Sequence, residues 1–235
     1  MAESMTTRQA HAGSPVPVAI GVMARAPVAG ACKTRLIPAI GADGAAQLQR
    51  ELITRTLASA CDANLGAVTL FVTGEDPAAF WPDCERQYGV QVSNQHGADL
   101  GARMAHALSQ LLASAQSALL IGTDCPALNI SQLQLAASAL RQARMVFIPA
   151  EDGGYVLVGA RSPEPAAFLD MPWGTERVMA LTRQRLHEHG WRPGREWIEL
   201  PPAWDLDRAD DLHRAAAAGL IDARWRQASV RTSRR

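Results

Sequence analysis

A basic loop follows the first β-rich run of the sequence, VPVAIGVM (16–23). The loop reads ARAPVAGACKTRL and contains the cations Arg25, Lys33 and Arg35. Gly30 lies between them, and a residue without a Cβ allows a ligand to approach the backbone. Guanidinium and ammonium groups bind phosphate through charge-assisted hydrogen bonds. The loop is therefore a candidate phosphate-binding site, and the alternative is an ordinary solvated basic loop.

The pair Lys33-Thr34 does not form the P-loop of an ATPase. The pattern G-x-x-x-x-G-K-T would need glycines at the positions held by Pro27 and Cys32. The spacing of the basic loop thus excludes that class of nucleotide site.

Carboxylates follow three later β-rich runs. Asp124 follows ALLIG, Asp152 follows MVFIP within EDGG, and Asp205 and Asp207 follow WIEL. In an α/β sheet, ligands bind outside the carboxyl ends of the strands, so these loops and the basic loop are expected to converge at one edge. Carboxylate oxygens are the ligands that Mg²⁺ prefers. Cations and carboxylates together suit a diphosphate that is bridged by a metal ion.

Each carboxylate also has a simpler interpretation. Asp124 could cap the next helix, although Asn129 is better placed to do so. Asp152-Gly153 is a common hairpin signal. Asp207 could be the N-cap of the helix that follows it.

Other chemistries are less well supported by the sequence. His187 and His189 are two residues apart on a predicted helix, so they lie on different faces and zinc is not expected. Cys125 could be a nucleophile, but no histidine partner is evident and a small buried cysteine is common. Trp173 and Trp204 could frame a pocket, or could simply pack.

Short β-rich runs alternate with helical patterns along the chain, and most of the runs are continuously apolar. The predicted strands are 16–23, 67–73, 90–94, 118–122, 145–149, 155–159 and 197–200. The predicted helices are 43–62, 77–87, 99–114, 131–142, 175–189 and 208–218, with Asp43, Asn129 and Thr175 as candidate caps. This alternation predicts a mainly parallel sheet with helices on both faces. The run 155–159 follows its neighbour after only five residues, too few for a parallel crossover, and is expected to be antiparallel.

Composition supports a single folded domain. The chain has 235 residues, 48% of them hydrophobic, which is enough for a sizeable core. The formal net charge is 0, which argues against binding to nucleic acid. We expect a polar leader at 1–15, one domain at 16–222 and an arginine-rich tail at 223–235.

The cysteines and the apolar runs indicate in which compartment of the cell the protein is expected. The four cysteines are Cys32, Cys61, Cys84 and Cys125. They are scattered and form no C-x-x-C pair, which is typical of reduced thiols in a cytoplasm. No apolar run approaches the roughly 18 residues that a membrane span needs. A cytoplasmic protein without a membrane span is expected.

Several segments taken together resemble the DUF2064 family, glycosyltransferase-like proteins of the GT-A superfamily. The matching segments are PVAGACKTRL (27–36), GADLGARM (97–104), IGTDCPAL (121–128), PAEDGGYVLVGA (149–160), PWGTERV (172–178) and DLDRADDL (205–212). The stretch KTRL-x-P-x-x-G is also similar to the start of the cofactor F420 guanylyltransferases. The resemblance implies a three-layer α/β/α fold of the nucleotide-diphospho-sugar transferase type, with a mainly parallel mixed sheet.

The resemblance also implies roles for the residues at the sheet edge. A divalent cation, Mg²⁺ or Mn²⁺, would be held by Asp124 and Asp207, with Asp205 beside them. The phosphates of a nucleotide would meet the basic loop, that is, Arg25, Gly30, Lys33, Thr34 and Arg35. The acceptor or sugar would lie near Asp152, Gly153, Gly154 and Trp173. Asp124, Asp152 and Lys33 are then the candidate catalytic residues.

Three functions remain open at this stage. The first is glycosyl transfer from a nucleoside-diphosphate sugar to a small-molecule acceptor, which a loop with one glycine and a stiff Pro27 favours. The second is nucleotidyl transfer from a nucleoside triphosphate to a phosphorylated acceptor, and the third is a nucleotide-binding module without catalysis. The sequence predicts neither the acceptor nor the oligomeric state.

Overall fold

A computed structural model describes residues 17–75 and 79–226 of the chain. In this part of the chain, seven strands form one sheet. The strands are β1 (Val18–Arg25), β2 (Val68–Thr73), β3 (Gln91–Asn94), β4 (Ser117–Gly122), β5 (Met145–Pro149), β6 (Tyr155–Ala160) and β7 (Trp197–Glu199). The helices are α1 (Ile37–Asp62), α2 (Phe80–Tyr88), α3 (Leu100–Leu112), α4 (Ile130–Ala139), α5 (Val178–Glu188) and α6 (Ala209–Ala217). Short 3₁₀ turns lie at Thr34–Leu36, Pro165–Ala167 and Ala223–Arg226.

The sheet has the order β3-β2-β1-β4-β6-β5-β7. Its strand pairs are parallel except those that β6 makes with β4 and β5, which are antiparallel. The prediction for run 155–159 is therefore confirmed, and so is the mainly parallel mixed sheet. The carboxyl ends of β1, β4, β5 and β7 all meet at one edge, where β6 begins.

Helices cover both faces of the sheet and complete three layers. One face packs against α1, α2 and α4 through a cluster that includes Ile20, Leu57 and Leu119. The other face packs against α3 and α5 around Phe71 and Phe147. Burial of these side chains is the main favourable contribution to folding.

A third, smaller cluster joins an N-terminal and a C-terminal part of the described chain. It contains Leu36 from the turn after the basic loop, Leu48 and Leu52 from α1, and Leu206 and Leu212 from the C-terminal part. These residues are almost inaccessible to solvent. The cluster fixes the basic loop next to the segment that carries Asp205 and Asp207.

Helix α1 begins earlier and helix α5 later than the sequence predicts, whereas the predicted cap of α4 is present. Helix α1 begins at Ile37 rather than at 43, with a break at Gly41, whose φ is 75°. Asn129 caps α4 as expected, in a capping box with Gln132. Thr175 does not cap α5, which begins at Val178 without a side-chain cap.

The suggestion that Asp207 is a helix cap is wrong. The N-cap of α6 is Arg208. The carboxylate of Asp211 accepts hydrogen bonds from the N–H groups of Asp207 and Arg208, at 3.0 and 2.7 Å. The Asp207 side chain is thus available for another contact.

The predicted leader, 1–15, and residues 227–235 of the predicted tail lie outside the described residues. The packed chain reaches Arg226, four residues beyond the predicted domain end at 222. Trp225 is 5% exposed, and its indole N–H donates to Glu51 Oε2 at 2.7 Å. None of the described helices combines the length and apolar character needed to cross a bilayer.

Candidate active site

A cavity of about 490 Å³ opens at the carboxyl edge of the sheet. It lies over the ends of β1 and β4 and the start of β6. Most of the predicted site residues line it: Arg25, Lys33, Thr34, Arg35, Asp124, Asp205 and Asp207. The loops that follow separate strands therefore do converge, as their positions in the sequence predict.

The ammonium group of Lys33 lies between two of the carboxylates. Its Nζ is 2.9 Å from Asp124 Oδ1 and 3.7 Å from Asp207 Oδ1. It also donates a hydrogen bond to the backbone carbonyl of Leu206, at 2.5 Å. The Lys33 side chain is only 4% exposed, whereas those of Asp124 and Asp207 are 48% and 38% exposed. The charge is buried, and its partners face the cavity.

The two arginines of the basic loop lie further out. Arg35 Nη1 pairs with Asp207 Oδ2 at 2.9 Å, and its side chain is 67% exposed. Arg25 donates to the carbonyl of Ala31 at 3.3 Å, which ties the start of the loop to its middle. Both guanidinium groups line the cavity. Exposed guanidinium groups present several N–H donors, so they suit a bound anion such as phosphate.

Asp205 is more buried than the neighbouring carboxylates. Burial raises its pKa to about 7, and the negative charges of Asp124, Asp152 and Asp207 act in the same direction, while Lys33 opposes them. Burial is the largest cause of this shift, and three carboxylates add to it while one ammonium group opposes it. A cation bound beside Asp205 would favour its ionised form.

The local backbone explains how Lys33 and the carboxylates meet. Lys33 has a left-handed conformation, with φ 45° and ψ 41°, which is uncommon for a residue other than glycine. Opposite it, the N–H of Leu206 donates to the carbonyl of Asp124 at 2.7 Å. This bond joins the loop after β4 to the loop after β7, and so aligns Asp124 with Asp205 and Asp207.

Two further contacts support the same loops. The buried amide of Gln49 on α1 donates to the carbonyl of Arg25 and to Thr123 Oγ1, at 3.3 and 3.4 Å. Arg214 on α6 holds Glu151 through two hydrogen bonds of 2.7 and 3.0 Å and stacks over the ring of Trp204. Trp204 therefore packs beside the site.

The segment EDGG after β5 forms a tight turn. Asp152 Oδ1 accepts from the N–H of Gly154 at 3.0 Å. Gly153 has a φ of 93°, and a Cβ there would lie 2.1 Å from the carbonyl oxygen of Glu176. Asp152, Gly153 and Gly154 do not line the cavity themselves. The negative charge of Asp152 acts on the site by raising the pKa of Asp205.

Trp173 lies behind the cavity wall rather than in it. Its ring meets that of Tyr155 edge-on, with centroids 6.2 Å apart. Gly101 at the start of α3 allows this packing, because a Cβ there would lie 2.8 Å from Trp173. Tyr155 lines the cavity, and sequence reasoning missed it because its run was interpreted only as a strand.

All four cysteines lie in the described part of the chain and are thiols. Cys125 is 4% exposed, and burial, together with the charge of Asp205, raises its pKa to about 12. A thiol with such a pKa is a poor nucleophile at neutral pH. The nucleophile interpretation of Cys125 therefore finds no support in the geometry.

The carboxylate set fits a hard divalent cation with few protein ligands. Within residues 17–75 and 79–226, no three His, Cys, Asp or Glu side chains converge closely enough to form a complete metal site. Mg²⁺ is usually bound by one or two carboxylates together with water and phosphate oxygens. Asp124 and Asp207, which share Lys33 as a counterion, would satisfy that requirement.

The sequence matches one family model. Residues 56–175, just over half of the chain, match the model described as "Uncharacterized protein conserved in bacteria (DUF2064)". The chain belongs to the DUF2064 family. The matched part of this DUF2064 protein contains Asp124, Asp152 and Trp173, and the basic loop precedes it. No curated protein is significantly similar to the chain.

Solved structures support the fold of this DUF2064 protein. A protein from Desulfovibrio desulfuricans G20, provisionally named a nucleotide-diphospho-sugar transferase, is 26% identical, with a TM-score of 0.76 over 90% of this chain and 91% of that one. A cytidylyltransferase from Leptospira borgpetersenii is 14% identical, with a TM-score of 0.56 over 92% of each chain. Rv0371c from Mycobacterium tuberculosis H37Rv, in complex with manganese, is 19% identical, with a TM-score of 0.50 over 84% of this chain and 97% of that one. The DUF2064 chain therefore has the nucleotide-diphospho-sugar transferase type of fold.

Proposed function

We propose that this protein is a transferase that uses a nucleotide-activated donor together with a divalent cation. The observation that carries the proposal is the convergence of Lys33, Asp124 and Asp207 in one cavity at the carboxyl edge of the sheet. A cation at these carboxylates would neutralise the diphosphate that leaves in the reaction. The names of the similar structures, which include a manganese complex, support the same class.

We assign the groups of the site as follows. Asp124 and Asp207 hold the cation, with Asp205 beside them. Lys33 and Arg35 bind the phosphates.

Three further residues complete the proposed basic loop. Arg25 binds phosphate at the mouth of the cavity, Gly30 gives the loop its turn, and Thr34 lines the phosphate side. Gly30 has a φ of 82°, which favours glycine.

The acceptor or sugar lies on the side of β6, where Tyr155 lines the cavity. The turn at Asp152, Gly153 and Gly154 shapes this side, and Trp173 supports it from behind.

Glycosyl transfer from a nucleoside-diphosphate sugar is the better-supported reaction. Pro27 has no N–H, and the N–H groups of Val28 and Ala31 are used within the basic loop, in bonds of 2.9 and 3.0 Å. These three positions therefore offer no backbone donor to a triphosphate, and Gly30 is the one glycine of the loop. Nucleotidyl transfer is the second candidate, which the likeness to a cytidylyltransferase favours.

A thermal-shift screen tests the class of donor. Nucleoside diphosphate sugars and nucleoside triphosphates are each added with Mg²⁺ or Mn²⁺. A true donor at 100 times its Kd is expected to stabilise the protein by about 2.7 kcal/mol, which for a domain of this size raises the Tm by roughly 5 to 10 °C. No shift with any nucleotide would contradict the proposal.

Product analysis then separates the two reactions. Release of a nucleoside diphosphate identifies glycosyl transfer, and release of pyrophosphate identifies nucleotidyl transfer. A protein that binds nucleotide but releases neither product with any acceptor tested would match the third function, a binding module.

A further inference from the structure

Lys33 occupies the position that a cation at Asp124 and Asp207 would need. Its ammonium group is 2.9 Å from one carboxylate and 3.7 Å from the other, and it is almost completely shielded from water. Leu206 contributes a third oxygen at 2.5 Å. Three oxygens around one positive centre resemble the start of a coordination shell.

The composition of the chain singles out the same residue. Lys33 is the only lysine in the sequence, and every other member of the 23 Lys and Arg residues is an arginine. An ammonium group is a compact, strongly hydrated point charge, whereas a guanidinium group is a flat fork. The only lysine of the chain thus lies between the carboxylates of Asp124 and Asp207.

Two cations cannot share these oxygens at low energy. A divalent ion bound to Asp124 and Asp207 would lie within a few ångströms of the Lys33 ammonium, and like charges at that distance repel strongly in a partly buried site. Lys33 has a flexible four-carbon stem, and the cavity opens beside it. Its ammonium group can therefore leave the carboxylates and turn towards the cavity.

We propose that Lys33 is an exchangeable counterion. In the protein without nucleotide, its ammonium group is the buried counterion of Asp124 and Asp207. When a divalent cation binds these carboxylates, the ammonium group moves away and pairs with the phosphates of the donor.

The proposal rests on the proposed function and adds that the cation and the diphosphate bind cooperatively. Metal alone must displace Lys33 without giving it a new partner, so metal alone binds weakly. A diphosphate supplies that partner, so cation and diphosphate each increase the affinity for the other.

Titration of Mn²⁺ without nucleotide tests the exchange. Calorimetry compares the wild-type protein with Lys33→Met, which removes the charge and keeps most of the buried stem. The Kd for Mn²⁺ is expected to fall about tenfold in Lys33→Met, because the competing cation is gone.

The matched control is Arg35→Met. Arg35 also pairs with Asp207, but its side chain is 67% exposed and its charge is screened by water. The Kd of this variant is expected to change by less than about threefold. An unchanged or larger Kd in Lys33→Met, or an equal decrease in both variants, would overturn the proposal.

A second test needs no variant, which guards against a Lys33→Met protein that does not fold. Because Lys33 is the only lysine, an amine-acylating reagent modifies one side chain, and peptide mass spectrometry measures its rate against the α-amino group. Saturating Mg²⁺ is expected to increase the rate, since the ammonium group leaves its buried position. An unchanged or slower rate with Mg²⁺ alone would contradict the exchange.

Inorganic pyrophosphate separates this inference from the proposed function. Added with Mg²⁺, it is expected to lower the acylation rate again, because the freed ammonium group binds it. A rate that rises with Mg²⁺ and does not fall with pyrophosphate would confirm the exchange but contradict phosphate binding by Lys33. A rate that falls only with pyrophosphate would support phosphate binding and overturn the exchange.

Discussion

Asp124, Asp207 and Lys33 differ sharply in their contact with solvent, and this difference decides how each can be tested. Lys33 is almost fully buried, while both carboxylates are partly exposed. Removing a carboxylate altogether would leave a buried ammonium group with fewer partners, which is costly. Asparagine at Asp124 keeps an oxygen that can accept from Lys33, so it isolates the loss of charge from the loss of packing.

Lys33→Ala is predicted to weaken binding of the donor nucleotide. The variant loses a charge-assisted hydrogen bond to phosphate, and the expected cost in binding free energy is about 1.5 to 3 kcal/mol. Calorimetric titration with the donor found in the thermal-shift screen measures it. Unchanged affinity in a variant with a wild-type circular dichroism spectrum would refute the assignment of Lys33 to phosphate.

Cys125 is predicted to resist alkylation in the folded protein. It is 4% exposed, whereas Cys61 is partly accessible. Iodoacetamide at pH 8 is therefore expected to modify Cys61 well before Cys125, without loss of donor binding, and peptide mapping can follow both. Rapid modification of Cys125 alongside loss of binding would restore it as a candidate catalytic residue.

Sequence reasoning identified most of the charged residues that line the cavity, but it missed Arg103 and the contacts that support the loops. Asp124, Asp205 and Asp207 were recognisable because each follows a β-rich run. Two features of the site form between segments that are far apart in the sequence, so no local pattern predicts them. They are the hydrogen bond from Leu206 to Asp124 and the packing of Tyr155. Lys33 did carry an unused signal, namely that it is the only lysine.

The strands were easier to predict than the helix ends. Continuous apolar runs are typical of strands covered on both faces, and each predicted run overlaps a strand of the sheet. The start of α1 was missed because Gly41 interrupts the helix. The 3₁₀ turn before α1 is held in place by Leu36, which packs in the third cluster. Helix propensity reflects only local sequence, so it does not predict this tertiary contact.

Gly153→Ala is predicted to destabilise the turn that follows β5. Its φ is 93°, and the new Cβ would overlap the backbone of Glu176, so the variant is expected to lose about 2 to 4 kcal/mol of unfolding free energy. Gly190→Ala is the matched control, because Gly190 has a φ of 77° but open space around it. That control is expected to lose only about 1 kcal/mol.

Urea denaturation measures both glycine variants. Equal losses in the two proteins would show that backbone conformation alone accounts for the effect, and that the close approach of Glu176 does not constrain the turn.

The site forms only when parts of the chain that are distant in sequence meet. Lys33 and Leu206 are 173 residues apart in sequence, yet their atoms are within hydrogen-bond distance. The third cluster holds these parts together, and Trp225 belongs to it. A disturbance near the C-terminal end of the described chain should therefore reach the site through packing.

Trp225→Ala tests that dependence. Removing a buried indole and its bond to Glu51 is expected to cost about 3 to 5 kcal/mol of unfolding free energy. Thermal unfolding measures the loss, and Arg86→Ala, at an exposed ion pair on α2, is the control with little expected effect. A Trp225→Ala protein as stable as the control would show that the domain does not need this segment.

Magnesium-dependent binding of the donor to Asp124→Asn tests the shared cation and nucleotide site most directly. Calorimetry is carried out with and without Mg²⁺, with Asp83→Asn on the surface of α2 as the control. Asp124→Asn is expected to weaken donor binding at least about tenfold with Mg²⁺ and not without it, because only the metal-bound state loses a ligand charge. Full Mg²⁺-dependent affinity in Asp124→Asn would refute a cation site at Asp124.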